Sequence, residues 1–524
     1  MISLIHLPNW IGDTVLALPA LTGLAQRANA EPVWAGRAGP LALVPTALPG
    51  ARHALRRSHV PWRFLRAAHG LRRHRASQGL LLTPAHSAAL QLWFSGVPQR
   101  IGWAEQGRAC WLTDAVARLP RGSFHLVEEF AALARRAGAH ALPAEPTWPV
   151  DAHAAAQVEA WLAAQFGRRG APEGGYVALC PGARYGAAKQ WPLERYIGLA
   201  ARLARETDAH GVVVGAAAEQ AAGEAIVAAA PGRWISACGA GSLRWSAELL
   251  RRARVAVSND SGAMHLAAAV GTPVVALFGP TDPRWTGPRG VGHRVVREPQ
   301  PCTPCFHRRC PLGEPAPCMA AIDVSTVFAA VVARLGGGVK RAAAFFLDRD
   351  GTLIEPVPYL HDPARVRLLP DVVAGLRRLQ AAGVLLVLVT NQSGLARGLF
   401  ARAQLEAVQA ELQRQLAAQG VRLARCYHCE HHPDWTGPCA CRKPASGMLR
   451  QAALELDLDL ARSALAGDTV EDLQAGAQVG AQTYLVASGY GAEQAATRRA
   501  ELPAAARPVP TLAAAVEAWL GSEA

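Results

Sequence analysis

Two carboxylates separated by one residue, Asp348 and Asp350, close the apolar run Phe345-Phe346-Leu347 and lead into Gly351-Thr352-Leu353. Residues i and i+2 of a strand point the same way, so the spacing predicts both acids in one pocket at a strand end. Such a pair can hold a divalent cation and supply a nucleophile. Three further groups follow in order. Val384–Val389 reads as an apolar strand ending in Thr390-Asn391-Gln392-Ser393-Gly394, a hydroxyl-and-amide loop suited to a phosphate. Arg442-Lys443-Pro444 brings positive charge, and Leu465-Ala466-Gly467-Asp468 ends another strand in a carboxylate, with Asp472 four residues on. Together they carry the groups that metal-assisted phosphoryl transfer requires.

Between the Thr390 and Lys443 segments lie Cys429-Glu430-His431-His432-Pro433 and Cys439-Ala440-Cys441. Three thiols and an imidazole at this spacing can complete a tetrahedral Zn²⁺ site. Cys429, His431, Cys439 and Cys441 are the expected ligands, with Cys426 and His432 outside the set. No open ligand position is evident, so the expected zinc is structural and stiffens a loop over the phosphoryl pocket. A second group, Cys302-x2-Cys305-x4-Cys310-x7-Cys318, can bind metal or pack a Pro-rich loop.

The first two-thirds of the chain carry other candidates. Leu7-Pro8-Asn9-Trp10-Ile11-Gly12-Asp13-Thr14 joins a strand to a helix, and Asp13 reads either as an N-cap or as a general base at a cleft. Pro181 to Pro192 follows a strand, opens a helix and contains Lys189, a cation for phosphate. Ser258-Asn259-Asp260-Ser261-Gly262-Ala263-Met264-His265 follows the next strand, where its hydroxyls and helix-start amides can cradle a diphosphate.

Elements must position these groups, and strand-like runs alternate with Ala/Leu-rich helical stretches throughout, which predicts parallel α/β sheets. Ile2–Leu7, Gly79–Thr83, Tyr176–Cys180, Gly211–Gly215, Arg254–Ser258 and Pro273–Phe278 read as strands. Residues 13–27, Leu193–Arg205 and Ala263–Val270 read as helices, and 141–150 as a connection. Residues 335–341 are the clearest linker. The expected division is 1–165 and 166–335 as two lobes, 336–341 as linker, and 342–524 as a third block.

At 524 residues the chain is too long for one core. Half its residues are apolar and only 18% are charged, which excludes a disordered chain. No apolar run reaches transmembrane length. Met1 to His6 lacks a basic leader and reads as a first strand, so a cytoplasmic location is expected. Eight of the 11 cysteines fall in the two clusters, favouring metal or local structure over a disulfide framework. The net charge of +14 is uneven. From Pro32 to Ala104 there is no acid, but there are Arg37, Arg52, Arg56, Arg57, Arg63, Arg66, Arg72, Arg73, Arg75 and Arg100. That stretch is a solvated face or a contact for an anionic surface, such as the inner membrane or a phosphorylated glycolipid. A basic nucleic-acid-binding protein with a phosphatase tail is the alternative, but no helix-turn-helix, stacking motif or zinc-finger spacing supports it; no nucleic-acid partner is expected.

The four C-terminal groups resemble the haloacid-dehalogenase (HAD) superfamily of phosphatases over residues 342–524. The resemblance implies Asp348 as nucleophile, forming an aspartyl-phosphate, and Asp350 as acid and base. It also implies Mg²⁺ held by Asp348, the Asp350 carbonyl and Asp468, with Thr390 and Lys443 on the phosphoryl oxygens. The zinc loop and Cys441-Arg442-Lys443-Pro444 narrow the likeness to the heptose-1,7-bisphosphate 7-phosphatases, with histidinol-phosphatase as the close alternative. The heptose enzymes would place Asn391, Arg397 and Arg442 on the substrate. Residues 1–335 resemble the ADP-heptose:lipopolysaccharide heptosyltransferases of glycosyltransferase family 9, heptosyltransferase II type, with a two-lobed GT-B fold of two Rossmann-like domains. That likeness implies inverting transfer to a Kdo/heptose-lipid A acceptor, with Asp13 as base. It places Lys189, Asp260, Ser261 and Gly262 on the ADP-heptose diphosphate and His265 beside them.

Overall fold

The computed structural model describes residues 2–27, 31–55, 61–166, 175–335 and 342–523. It divides the chain into two compact units, Met1–Val339 and Lys340–Ala524. The expected linker 336–341 lies outside the described residues, as do Arg56 and Arg57.

The first unit holds two six-stranded parallel sheets. One consists of β1 (Ile2–His6), β2 (Glu31–Gly36), β3 (Ala51–Ala54), β4 (Gln78–Leu81), β5 (Gln99–Trp103) and β6 (Asp114–Val116), in the order β3-β2-β1-β4-β5-β6. The other consists of β7 (Tyr176–Cys180), β8 (Gly211–Val213), β9 (Trp234–Ser236), β10 (Ala253–Asn259), β11 (Val274–Phe278) and β12 (Arg294–Arg297), in the order β12-β11-β10-β7-β8-β9. The second unit repeats the plan with β13 (Ala344–Leu347), β14 (Leu385–Asn391), β15 (Arg425–Cys429), β16 (Ala464–Gly467), β17 (Gln482–Val486) and β18 (Arg507–Val509), ordered β15-β14-β13-β16-β17-β18.

Counted within itself, each sheet runs 3-2-1-4-5-6. Its order therefore reverses between the first and fourth strands, at β1/β4, β7/β10 and β13/β16. Loops leaving the carboxyl ends of those strands diverge and open a crevice where α/β proteins bind ligands. Every singled-out site residue of the N-terminal lobes, and Asp348, Asp350 and Asp468 in the second unit, lies in or just beyond one of these loops. Thr390 and Asn391 end the neighbouring β14.

Burial on both faces fixes the central strands. Tyr176 to Cys180 are all buried, as parallel strands covered by helices require. In β13, Phe345 and Leu347 face a core with Tyr484, Val516 and Trp519, while Ala344 and Phe346 face Val387, Met448 and Leu465 on the other side. Each fully buried Phe contributes on the order of 2–3 kcal/mol, so β13 is held rigid up to the residue before Asp348.

The expected helix over residues 13–27 forms as two, Ile11–Leu16 and Leu18–Ala25. Pro19 explains the break, since it cannot donate to the carbonyl four residues back. Helix Ala152–Phe166 packs Trp161 edge-on against Trp245 at 5.2 Å, on helix Leu243–Arg251 of the second sheet.

Candidate active sites

In the first sheet the loops after β1 and β4 are tied together, with Asn9 Nδ2 donating to Thr83 Oγ1 at 2.8 Å. Helix Ile11–Leu16 starts there with Trp10 as its cap, so Asp13 is a first-turn residue and not the cap. Burial raises the Asp13 carboxyl to about 6, against the opposing pull of Lys189 and Arg118. A carboxyl so placed is poised to take a proton near neutral pH.

Helix Gly262–Ala269 begins after β10 and meets helix Ile11–Leu16 start to start. A Cβ on Gly12 would come within 2.8 Å of His265 Cδ2, and one on Gly262 within 3.0 Å of Ile11 Cβ. Only glycine lets the two lobes approach this closely. Beside the contact, Lys189 Nζ donates to Asp260 Oδ2 at 2.5 Å, and Thr281 Oγ1 donates to the same oxygen at 2.7 Å. Burial acts to raise Asp260, but Lys189, His265 and Thr281 together hold it below the usual carboxylate range. His265 is buried, which lowers it to about 4 although Asp260 lies 4.0 Å away. It is therefore neutral at pH 7, and its Nδ1 has no partner. Ser261 caps its helix without a side-chain cap bond; its hydroxyl lies 3.2 Å from that of Ser258.

Asn259, at the end of β10, makes structural bonds. Its Oδ1 accepts from Trp191 N and Tyr196 OH at 3.0 and 3.2 Å, and its Nδ2 donates to Pro181 O at 2.7 Å. It fastens the loop that carries Lys189. Aromatic neighbours were missed by the sequence reading: Tyr185 lies edge-on to Trp10 at 6.5 Å, and Arg308 stands over both rings. The four cysteines at 302, 305, 310 and 318 line one cavity of about 190 Å³. No three of their sulfurs gather as those of the 429–441 loop do.

In the second unit, Asp348, Asp468 and Asp472 bring carboxylate oxygens within 4.8 Å of one another, all buried. Lys443 Nζ lies 2.5 Å from both Asp348 Oδ1 and Asp472 Oδ1 and donates to Val389 O at 2.8 Å. Burial pushes Asp348 upward; Lys443 opposes it, and Asp472, Asp468 and Asp350 add to it. Three carboxylates against one ammonium leave a negative excess that a divalent cation fits. Gly351 and Gly489 line the same spot, where a Cβ would come within 2.1 and 2.2 Å of Asp468 Oδ2. Asp472 is the residue whose role the sequence left open. Its link to Lys443 depends on the fold, although its spacing from Asp468 was the available signal.

Thr390 is buried in the phosphoryl loop, and its Oγ1 accepts from Gln392 Nε2 at 2.8 Å. Asn391, expected on the substrate, fastens the Lys443 backbone: its Nδ2 donates to Lys443 O and its Oδ1 accepts from Lys443 N, both at 3.1 Å. Asp350, expected to share one pocket with Asp348, acts electrostatically on Asp348 and accepts hydrogen bonds from Arg349 and Gln392. Arg397 stands between Tyr359 OH at 2.6 Å and His432 Nε2 at 2.8 Å, and Arg442 Nη1 donates to His431 O at 3.2 Å.

Cys429, His431, Cys439 and Cys441 converge. Their sulfurs lie 3.2–3.6 Å apart, and His431 Nδ1 is 3.4 Å from Cys441 Sγ and 3.7 Å from Cys429 Sγ. Four such atoms around one point suit zinc, whose bonds to sulfur are about 2.3 Å. Cys426 accepts instead from Gln409 and Gln413, and His432 binds Arg397, so neither joins the set.

Comparison with known proteins gives matches for both units. The glycosyltransferase family 9 (heptosyltransferase) profile matches residues 64–315, and a HAD-hydrolase-like profile matches 440–515. The chain is 46% identical over 137 residues to D-glycero-beta-D-manno-heptose-1,7-bisphosphate 7-phosphatase of Haemophilus influenzae, covering 25% of this chain and 74% of that protein. It is 40% identical over 165 residues to the enzyme of the same name from Haemophilus ducreyi, covering 30% and 91%. The solved structure of Escherichia coli ADP-heptose LPS heptosyltransferase II is 26% identical with a TM-score of 0.53, covering 64% of this chain and 98% of that one.

Proposed function

Since the chain belongs through its C-terminal unit to the D-glycero-beta-D-manno-heptose-1,7-bisphosphate 7-phosphatases and carries a family 9 glycosyltransferase domain before it, we propose that it catalyses two reactions of lipopolysaccharide-core synthesis. One is removal of the C7 phosphate of D-glycero-D-manno-heptose 1,7-bisphosphate. The other is inverting transfer of heptose from ADP-heptose to the Kdo/heptose-lipid A acceptor.

The placement of Asp348 against Lys443, Asp468 and Asp472 carries the phosphatase reading. Asp348 attacks phosphorus as the bond to the sugar oxygen breaks; Asp350 protonates that oxygen, then takes a proton from the water that hydrolyses the aspartyl-phosphate. Thr390 and Lys443 bind phosphoryl oxygens. Asp348, the Asp350 carbonyl and Asp468 would hold a Mg²⁺ ion, which would supply charge neutralisation. Cys429, His431, Cys439 and Cys441 would hold a Zn²⁺ ion, which would stiffen the loop that carries Arg442 and Lys443. Arg397 and Arg442 take the distal phosphate.

In the transferase, Asp13 removes the acceptor hydroxyl proton as that oxygen attacks the anomeric carbon and ADP departs. Lys189, Ser261 and Gly262 hold the diphosphate; Asp260 aligns Lys189, and His265 stays neutral beside them. No helix among the described residues is long and apolar enough to cross a membrane. The acid-free, Arg-rich stretch from Pro32 to Ala104 supports a peripheral contact with the anionic inner-membrane surface where the acceptor resides.

The test assays the full chain with heptose 1,7-bisphosphate against histidinol phosphate, and with ADP-heptose against Kdo-lipid A in anionic vesicles. Preferred hydrolysis of heptose bisphosphate and transfer of heptose are expected. Preference for histidinol phosphate, or no transfer to acceptors carrying zero or one heptose, would reject the corresponding half.

A further inference from the structure

Asp350 does not stand free. Arg349 Nε donates to Asp350 Oδ2 at 3.0 Å and Nη2 to Oδ1 at 3.2 Å, while Gln392 Nε2 donates to Oδ2 at 3.1 Å. Gln392 also accepts from Arg349 Nη2 at 3.1 Å, and its backbone N–H donates to Cys429 O at 2.7 Å. The network thus joins the carboxylate expected to move protons to the end of β15 and, through the Gln392–Thr390 bond, to the phosphoryl loop. Arg349 is only 1% exposed and its Nη1 has no partner. Taking a permanent cation out of water is costly unless a counter-charge meets it in good geometry. The forked contact with Asp350 is that counter-charge. Asp350 itself keeps 29% of its side chain exposed, so these bonds do not seal its carboxyl off.

We infer that Arg349 and Gln392 are positioning residues for proton transfer, fixing the Asp350 carboxyl toward the leaving oxygen. The inference rests on the phosphatase reading above. In the first half-reaction an Asp348 oxygen forms its bond to phosphorus as the bond to the sugar oxygen breaks. That bond's electron pair goes to the sugar oxygen, which takes the Asp350 proton. The charge left on Asp350 falls on oxygens already hydrogen-bonded to Arg349 and Gln392. In the second, the same carboxylate takes a proton from the attacking water and Asp348 departs as a carboxylate. Preorganised donors of this kind act without rearranging at the moment of reaction.

The test compares leaving groups. A sugar alkoxide must be protonated as it departs, whereas p-nitrophenolate need not be. Arg349→Lys and Gln392→Leu are assayed in the full chain for kcat/KM, which reports steps through phosphoryl transfer, with heptose 1,7-bisphosphate and with p-nitrophenyl phosphate. Each variant is expected to lose about 10- to 100-fold on the bisphosphate, a part of what a general acid contributes, and less than about 3-fold on p-nitrophenyl phosphate. Gln392→Leu keeps the test decisive if the buried Arg349 cannot be replaced without unfolding. Equal losses on both substrates, the mark of a merely structural role, would overturn the inference, and so would no loss on either. A wild-type chain that leaves heptose bisphosphate intact would reject the substrate reading itself before any variant is made.

Discussion

Asp348 is a buried carboxylate and Asp13 a half-buried one, and their surroundings ask different things of them. Asp348 is held against Lys443, which aims its oxygen although burial and the neighbouring carboxylates still push it upward. Asp13 has no such partner among the described hydrogen bonds, and burial raises it to about 6. A base must be ionised to act, so transfer is expected to fall about tenfold per pH unit below about pH 6. Phosphatase turnover of the same preparation serves as the control. Asp13→Asn should lower transfer by about 10²–10⁴-fold and abolish that acid limb. Because the raised value means that ionising Asp13 disfavours the fold at neutral pH, the same variant should not lower the unfolding midpoint. An unchanged acid limb in Asp13→Asn would assign the proton to another group. At this scale residue type and spacing were enough to anticipate that Asp348 and Lys443 meet and that Cys429, His431, Cys439 and Cys441 converge. The spacing did not show that the Asn259 and Asn391 amides bond backbone groups 78 and 52 residues away. No local spacing announces such a partner.

Between residues and the whole, the decisive element is the pair of helices that meet at Gly12 and Gly262. Their glycines do not serve unusual backbone angles; they serve proximity, because each Cβ would enter the other helix's space. Gly12→Ala is expected to force the helix starts apart at a cost of about 1–3 kcal/mol, as overpacked contacts do. Transfer should drop at least about tenfold, since misplacing reacting groups by even an ångström can cost about 10²-fold. Phosphatase kcat/KM, measured in parallel, should stay within about twofold of wild type, against the ~1.4 kcal/mol that a tenfold change represents. Full transfer activity in Gly12→Ala would show that the two helix starts need not touch. Element boundaries followed from pattern in the central strands: Tyr176–Cys180 appears as expected because all five residues are buried. Short edge strands such as β3 and β18, largely exposed, carry no comparable apolar signal.

Across the whole chain, three sheets share one strand order, and each puts functional loops at the same topological position. Sequence alternation implied parallel sheets but could not show that order, which is set by long-range pairing such as Phe346 with Leu465. The chain contains two compact units, each with its own buried core and candidate site. The two proposed reactions are not consecutive, since activation of the sugar must separate them, so neither site needs the other's product directly. Independent sites on one chain are the central claim. The most direct measurement is both activities, heptose transfer from ADP-heptose and phosphate release from heptose 1,7-bisphosphate, on wild type, Asp13→Ala and Asp348→Asn. The account predicts that Asp13→Ala loses transfer and keeps phosphate release, and that Asp348→Asn does the reverse. Loss of both activities from either single change would contradict it.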